Sequence, residues 1–120
     1  NKIPLTKLAI ETIPPSITIS NLLLTHMRIF VGEDFAGLLR NKNVRVGNHT
    51  PPKWQDVVNH MVELQMIHRP TLEQIGDVSL QLIENLKDWY EDFETSHPFE
   101  DGNGRVGGVT IAIYYHTWSP

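Results

Sequence analysis

HPFEDGNGRVGG, residues 97–108, decides how this chain is read. Its twelve positions hold one histidine, two acids, one asparagine, one arginine and four glycines. Asp101-Gly102 and Asn103-Gly104 are strong turn dipeptides, and a plain turn between two apolar segments would use them. A ligand-binding use draws on more of the stretch at once. Gly102 and Gly104 let the backbone come close to a ligand. A nest of N–H groups that leads into a helix gathers amide donors and the helix dipole on an anion. Arg105 adds a charged fork for phosphate oxygens. Asp101 is a hard oxygen ligand suited to Mg²⁺ on a nucleotide. Asn103 can bond a phosphate oxygen without adding charge. His97 titrates near neutrality and can take a proton from an attacking hydroxyl. Phe99 reads as the apolar anchor of the loop. A base, a metal ligand and an anion cradle within nine residues are the parts of a phosphoryl-type transfer.

Outward from this stretch the pattern is mostly helical. Leu72, Ile75, Val78, Leu82, Leu86, Trp89, Tyr90 and Phe93 keep a 3.6-residue period, which predicts one long helix from Pro70 to about Thr95. Pro52 to Ile67 reads as a helix through Trp54, Val57, Val58, Met61, Leu64 and Met66. Ser20 to Val31 reads as another through Leu23, Met27 and Phe30. Val106–Trp118 is open: VTIAIYY is β-branched and strand-like, yet helix is equally compatible with it. Between Asn41 and Asn48, Val44 and Val46 alternate with Arg45 among turn residues, which predicts a short strand or hairpin that Pro51 and Pro52 end.

The 120 residues are the size of one domain, and 40% of them are hydrophobic. A net charge of −4 argues against non-specific nucleic-acid binding. The longest apolar runs, Leu22–Leu24 and Ile111–Tyr115, are too short to span a membrane. No signal peptide is expected, and the lack of cysteine fits a cytoplasmic chain. His26, His49, His60, His68 and His116 show no metal-ligand spacing and read as core or surface residues. Trp54, Trp89 and Trp118 read as packing anchors. Glu91, Asp92, Glu94 and Glu100 read as a solvated helix end. Arg40, Lys42 and Arg45 form a small basic group that can meet target or phosphate.

His97-Pro98-Phe99-Glu100-Asp101-Gly102-Asn103-Gly104-Arg105 resembles the Fic motif, H-x-F-x-[DE]-G-N-G-R-x-x-R, at every defined position but the last. Phe93-Glu94 upstream is similar to the family's approach to that motif. Phe35-Ala36-Gly37, Arg40, Val44–Gly47 and His49–Pro52 resemble the segment that holds the family's β-hairpin flap. The resemblance implies a single mainly α-helical domain over residues 1–120 with one small hairpin, its core at about 20–118 and residues 1–19 an N-terminal extension. It makes Val106–Trp118 helix. It implies AMP transfer from ATP to a Ser, Thr or Tyr hydroxyl of a target protein. His97 would be the base and Asp101 the Mg²⁺ ligand. Gly102, Asn103, Gly104 and Arg105 would hold phosphates. Asn43, Val44, Arg45 and Val46 in the flap would align the target by main-chain pairing.

Position 108, where the motif has its second arginine, is Gly108. Losing one charge-assisted hydrogen bond costs about 1.5–3 kcal/mol. Three readings follow: a working site in which Arg40 or Arg45 helps to hold the nucleotide, a site for a donor with fewer phosphates, or a disarmed site whose fold binds peptide or protein. The family's inhibitory [ST]-x-x-x-E-[GN] motif is not found in the sequence, so control by a separate small protein is the expected route if there is control.

Overall fold

The computed structural model describes residues 5–118, so residues 1–4 of the expected N-terminal extension lie outside the described residues. Five α-helices run in chain order: α1 (Leu5–Thr12), α2 (Ile19–Ile29), α3 (Val57–Gln74), α4 (Leu80–Ser96) and α5 (Asn103–Trp118). A 3₁₀ turn, Trp54–Asp56, leads into α3. None of these helices is long and apolar enough to cross a membrane. The chain is therefore mainly α, and Val106–Trp118 is helix.

The amphipathic period places α4. Leu82, Leu86, Trp89, Phe93 and Ser96 fall on one face and are buried, as 3.6-residue repetition requires. Ser79 caps its start, with Oγ accepting from the Leu82 N–H at 3.2 Å. On one side α4 packs against α3 and on another against α5; α1 lies across α5 and α2. The close α4–α5 approach explains one of the two terminal glycines of the motif. A Cβ on Gly107 would come within 2.5 Å of the Tyr90 ring, so no larger residue fits unless that ring moves.

The expected helix from Pro70 to Thr95 is two elements. Pro70 lies inside α3, which continues to Gln74. A proline there deprives the carbonyl four residues back of its partner. That residue, Met66, is 71% exposed, so water can reach the orphaned group. The break comes instead at Ile75–Ser79, where Ile75 turns extended and Ser79 restarts the helix. The core face of α2 also differs from the expected one. Leu22, Thr25, His26 and Ile29 are buried, while Met27 is 46% exposed.

The expected hairpin is a turn without strands. Val46 and His49 form an isolated antiparallel bridge, exchanging N–H···O bonds of 2.9 Å in both directions around Gly47-Asn48. Gly47 has φ +60°, as such a tight turn demands. No strand forms on either side among the described residues. The Asn43 side chain is spent on the Trp54 N–H at 2.9 Å, and Pro51-Pro52 cannot donate to a ladder.

Candidate functional site

The site is the junction where α4 ends and α5 begins. His97 is the C-cap of α4 and has φ 45°, ψ 60°, the left-handed conformation. It is the only non-glycine residue with positive φ among the described residues. Such backbone persists only where its surroundings hold it. Arg40 does much of the holding. Its guanidinium donates to the carbonyl oxygens of His97 (2.6 Å), Ser96 (3.4 Å), Pro52 (2.6 Å) and Lys42 (3.0 Å), and its own N–H donates to the Pro98 carbonyl at 2.9 Å. Arg40 is 3% exposed. The expectation that it helps hold a nucleotide gives way here, because its donors are committed to these carbonyls.

Beyond His97, the loop closes on itself through Asn103. The Asn103 Oδ1 accepts from the Phe99 N–H and its Nδ2 donates to the Phe99 carbonyl, both at 2.8 Å. The side chain set against phosphate in the sequence reading is buried and serves as a clasp. Phe99 is fully buried, with its ring stacked on His26 at 4.0 Å between centroids. His26 is tied at both ring nitrogens. Nδ1 accepts from the Gly37 N–H at 2.9 Å, so Nε2 carries the proton and donates to the Asp101 carbonyl at 3.0 Å. Burial holds its pKa below the usual histidine range, against the pull of Asp101.

The two motif glycines on the loop differ. Gly102 has φ +83°, and a Cβ there would sit 2.3 Å from the Phe30 ring. Both backbone and packing demand glycine. Gly104 stands in the first turn of α5, and a Cβ there would meet only the Tyr90 hydroxyl at 3.6 Å and the Glu94 carboxylate at 3.9 Å, which is ordinary contact. Packing does not ask for glycine at 104. The Val106 N–H bonds back to the Gly102 carbonyl at 2.9 Å, whereas the N–H groups of Asn103, Gly104 and Arg105 have no hydrogen bond among the described residues. They form the donor cluster that a helix start offers to an anion.

The side chains around this cluster suit a nucleotide. Arg105 is exposed, donates to the Thr6 hydroxyl at 3.1 Å and stands 5.4 Å from the Phe30 ring centre. The Asp101 carboxylate is exposed and makes no hydrogen bond or ion pair among the described residues. No cluster of three metal-ligating side chains occurs among the described residues. One free carboxylate beside a cluster of free N–H groups nevertheless fits Mg²⁺, which is usually bound by one or two carboxylates with substrate phosphates and water. The His97 ring makes no hydrogen bond among the described residues, so its lone pair is available. Its pKa is lowered by burial first, then by the charges of Arg40 and His49. It is therefore mostly neutral, as a base must be, at pH 7.

Residues 41–49 run past the α4 end of the site. His49 Nε2 bonds the Thr95 carbonyl at 2.9 Å, and Lys42 pairs with Glu100 at 2.6 Å. Arg45 folds back onto the Gly47 carbonyl at 3.0 Å. Asn43, Arg45 and Val46 are exposed, and Val44 is partly so. Sequence reasoning treated His26 and Arg40 as background or accessory, and only the buried positions they occupy mark them. Gly108 has nothing within 4 Å of a Cβ placed on it, so that face of α5, one turn from Arg105, is open.

The Fic/DOC family matches residues 16–115 of the chain. Among solved structures, the fold is similar to BepC, a VirB-translocated Bartonella effector protein from Bartonella tribocorum, solved with bound AMPPNP. The TM-score is 0.77 at 19% identity over 92% of this chain. The chain spans 62% of the BepC chain.

Proposed function

Since the chain belongs to the Fic/DOC family, we propose that it transfers AMP from Mg·ATP to a Ser, Thr or Tyr hydroxyl of a target protein. The observation that carries this reading is Gly104. A glycine within a helix is up to about 1 kcal/mol less favourable than an alanine, and here nothing in the packing requires one. A ligand that must touch the amides accounts for it. The AMPPNP bound to BepC supports ATP as the donor.

The hydroxyl oxygen attacks the α-phosphorus while the His97 imidazole takes its proton. The bond from that phosphorus to the bridging oxygen breaks, and pyrophosphate leaves. The free N–H groups at the start of α5 and the Arg105 guanidinium bind the phosphate oxygens, with charge-assisted bonds. Asp101 would hold Mg²⁺, which would offset charge on the phosphates. The exposed segment 43–46 would hold the target by main-chain pairing through residues 43–45, since His49 already takes the Val46 N–H and C=O. The Asn103 side chain and Phe99 keep the cradle in shape and touch no substrate.

The test is transfer from α-phosphate-labelled ATP with Mg²⁺, with the protein alone and in a cell lysate, beside His97→Ala. We expect labelling that falls at least about a hundredfold in the variant, the usual worth of a positioned base. Label unchanged by His97→Ala would falsify the assignment. A second reading rests on the open face at Gly108: a disarmed fold that binds peptide or protein. Gly108→Arg separates the two. Nothing obstructs the new side chain, so one added phosphate contact should tighten Mg·ATP roughly ten- to a hundredfold. Label that appears only in Gly108→Arg supports the disarmed form.

A further inference from the structure

Arg40 is the group that the proposed mechanism leaves unused, and it is the most committed buried charge in the molecule. Its planar fork reaches carbonyl oxygens in two separate segments. Ser96 and His97, with Pro98 on the Arg40 amide, end α4 and carry the base. Lys42 and Pro52 bracket the exposed segment expected to receive the target. We propose that Arg40 is a positioning residue that locks the His97 backbone to both ends of residues 42–52, so that the target-docking segment and the base move as one body. The coupling to catalysis rests on the transfer reading above; the lock itself does not.

Four features support it. The last carbonyls of a helix lack internal partners and carry the negative end of its dipole, so a cation placed there is favoured. His97 sits in a conformation that a non-glycine residue leaves readily unless it is held, and Arg40 bonds the carbonyls before, at and after it. The geometry needs a fork: donors pointing in different directions in one plane, which guanidinium supplies and an ammonium does not. His49, bonded to Thr95, ties the same two segments a second time. The charged and titratable groups acting on the His97 ring are Arg40 and His49. Arg40 thus fixes where the base stands and, after burial, adds to the lowering of its pKa.

Arg40→Lys keeps the charge and loses the fork; Arg40→Met loses both. Amide hydrogen exchange reads the lock without any substrate. In Arg40→Lys we expect protection to fall about tenfold or more at the Ser96 and His97 amides and at the Val46 and His49 amides together, with residues 57–64 of α3 unchanged. The His97 ring, followed by NMR, should titrate near its wild-type midpoint in Arg40→Lys and at a higher pH in Arg40→Met. In labelling assays, kcat should fall about tenfold or more in Arg40→Lys while KM for ATP changes less than about twofold. Uniform loss of protection across all helices means that Arg40 only stabilises the fold, and overturns the proposal. So does exchange that rises in one of the two segments alone. If Arg40→Met does not fold, the exchange of Arg40→Lys still decides. If the wild-type protein transfers no label, the transfer reading fails while the exchange data stand.

Discussion

The loop 97–105 and the segment 41–49 both carry glycine and an asparagine whose side chain bonds main chain, but the first is pinned from every side and the second only at its ends. The loop is held by Arg40 at the His97 carbonyl, by Asn103 across Phe99 and by His26 at Asp101. The segment is held by Arg40 on the Lys42 carbonyl, Asn43 on Trp54, His49 on Thr95 and an exposed Lys42–Glu100 pair, with an exposed turn between them. The difference follows from what each would do. A base and an anion cradle must stand within a fraction of an ångström of the reacting atoms. A surface that takes an extended target by main-chain pairing gains when the part between its fixed ends can adjust.

The sharpest way to break this comparison is to put the same methyl group on each side. Gly102 and Gly47 both have positive φ. At Gly47 the space around a Cβ is empty, so Gly47→Ala carries only the left-handed penalty of about 1–2 kcal/mol. At Gly102 the methyl also meets the Phe30 ring at 2.3 Å, and overpacking adds roughly 1–3 kcal/mol. Thermal or urea unfolding should therefore rank Gly102→Ala as the more damaging by at least about 1 kcal/mol. Equal losses would mean that the loop yields as easily as the segment.

The two asparagines make the next comparison. Asn103→Ala leaves the buried N–H and C=O of Phe99 without partners, at about 1–3 kcal/mol for each group. Asn43→Ala exposes one N–H at the start of a 3₁₀ turn, where water can replace the side chain, and should cost about 0.5–1 kcal/mol. We expect Asn103→Ala to lose about 2 kcal/mol or more in denaturant unfolding and Asn43→Ala less than half of that. A reversed order would place the rigid part of the molecule in the wrong segment.

The sequence made the loop legible because its chemistry is contiguous. Base, carboxylate, glycines and arginine lie within nine residues, and helix α5 follows directly. Asn103 was legible as a site residue but not as a clasp, since its partner is a main-chain group that any residue at 99 would present. His26 and Arg40 were illegible for a different reason. Each acts on backbone 56 to 75 residues away, and no local spacing announces such a partner. The hairpin was overread because alternation at Val44–Val46 is a local signal, whereas a strand needs a neighbour to bond. Pro70 was overread as a helix start because an exposed turn tolerates a missing N–H. Gly107 answers to the Tyr90 ring, a partner in another helix that no local pattern shows, and Gly108 has no packing reason at all.

The smallest effect compares an acid in the loop, Glu100, with one in the helix before it, Glu94. Glu100 is exposed and paired with Lys42, a contact worth about 0–1 kcal/mol. Glu94 has a buried Oε1 with no partner, and burial raises its pKa above the ordinary carboxylate value. The folded protein therefore holds that proton more tightly than the unfolded chain does. This contribution is complete below the unfolded pKa, near 4.5, and is lost as pH rises through the folded one. Glu94→Gln keeps the shape and removes the charge. Its melting temperature should match the wild type near pH 4 and exceed it at pH 7, while Glu100→Gln should be no more stable than the wild type at pH 7. The Tyr90 hydroxyl gives an independent check, because burial first and the Glu94 charge second raise its pKa. In Glu94→Gln that titration should move down. A Glu94→Gln protein that gains nothing at pH 7 would mean that water reaches the carboxylate, and that the α4–α5 junction is looser than the pinned loop beside it.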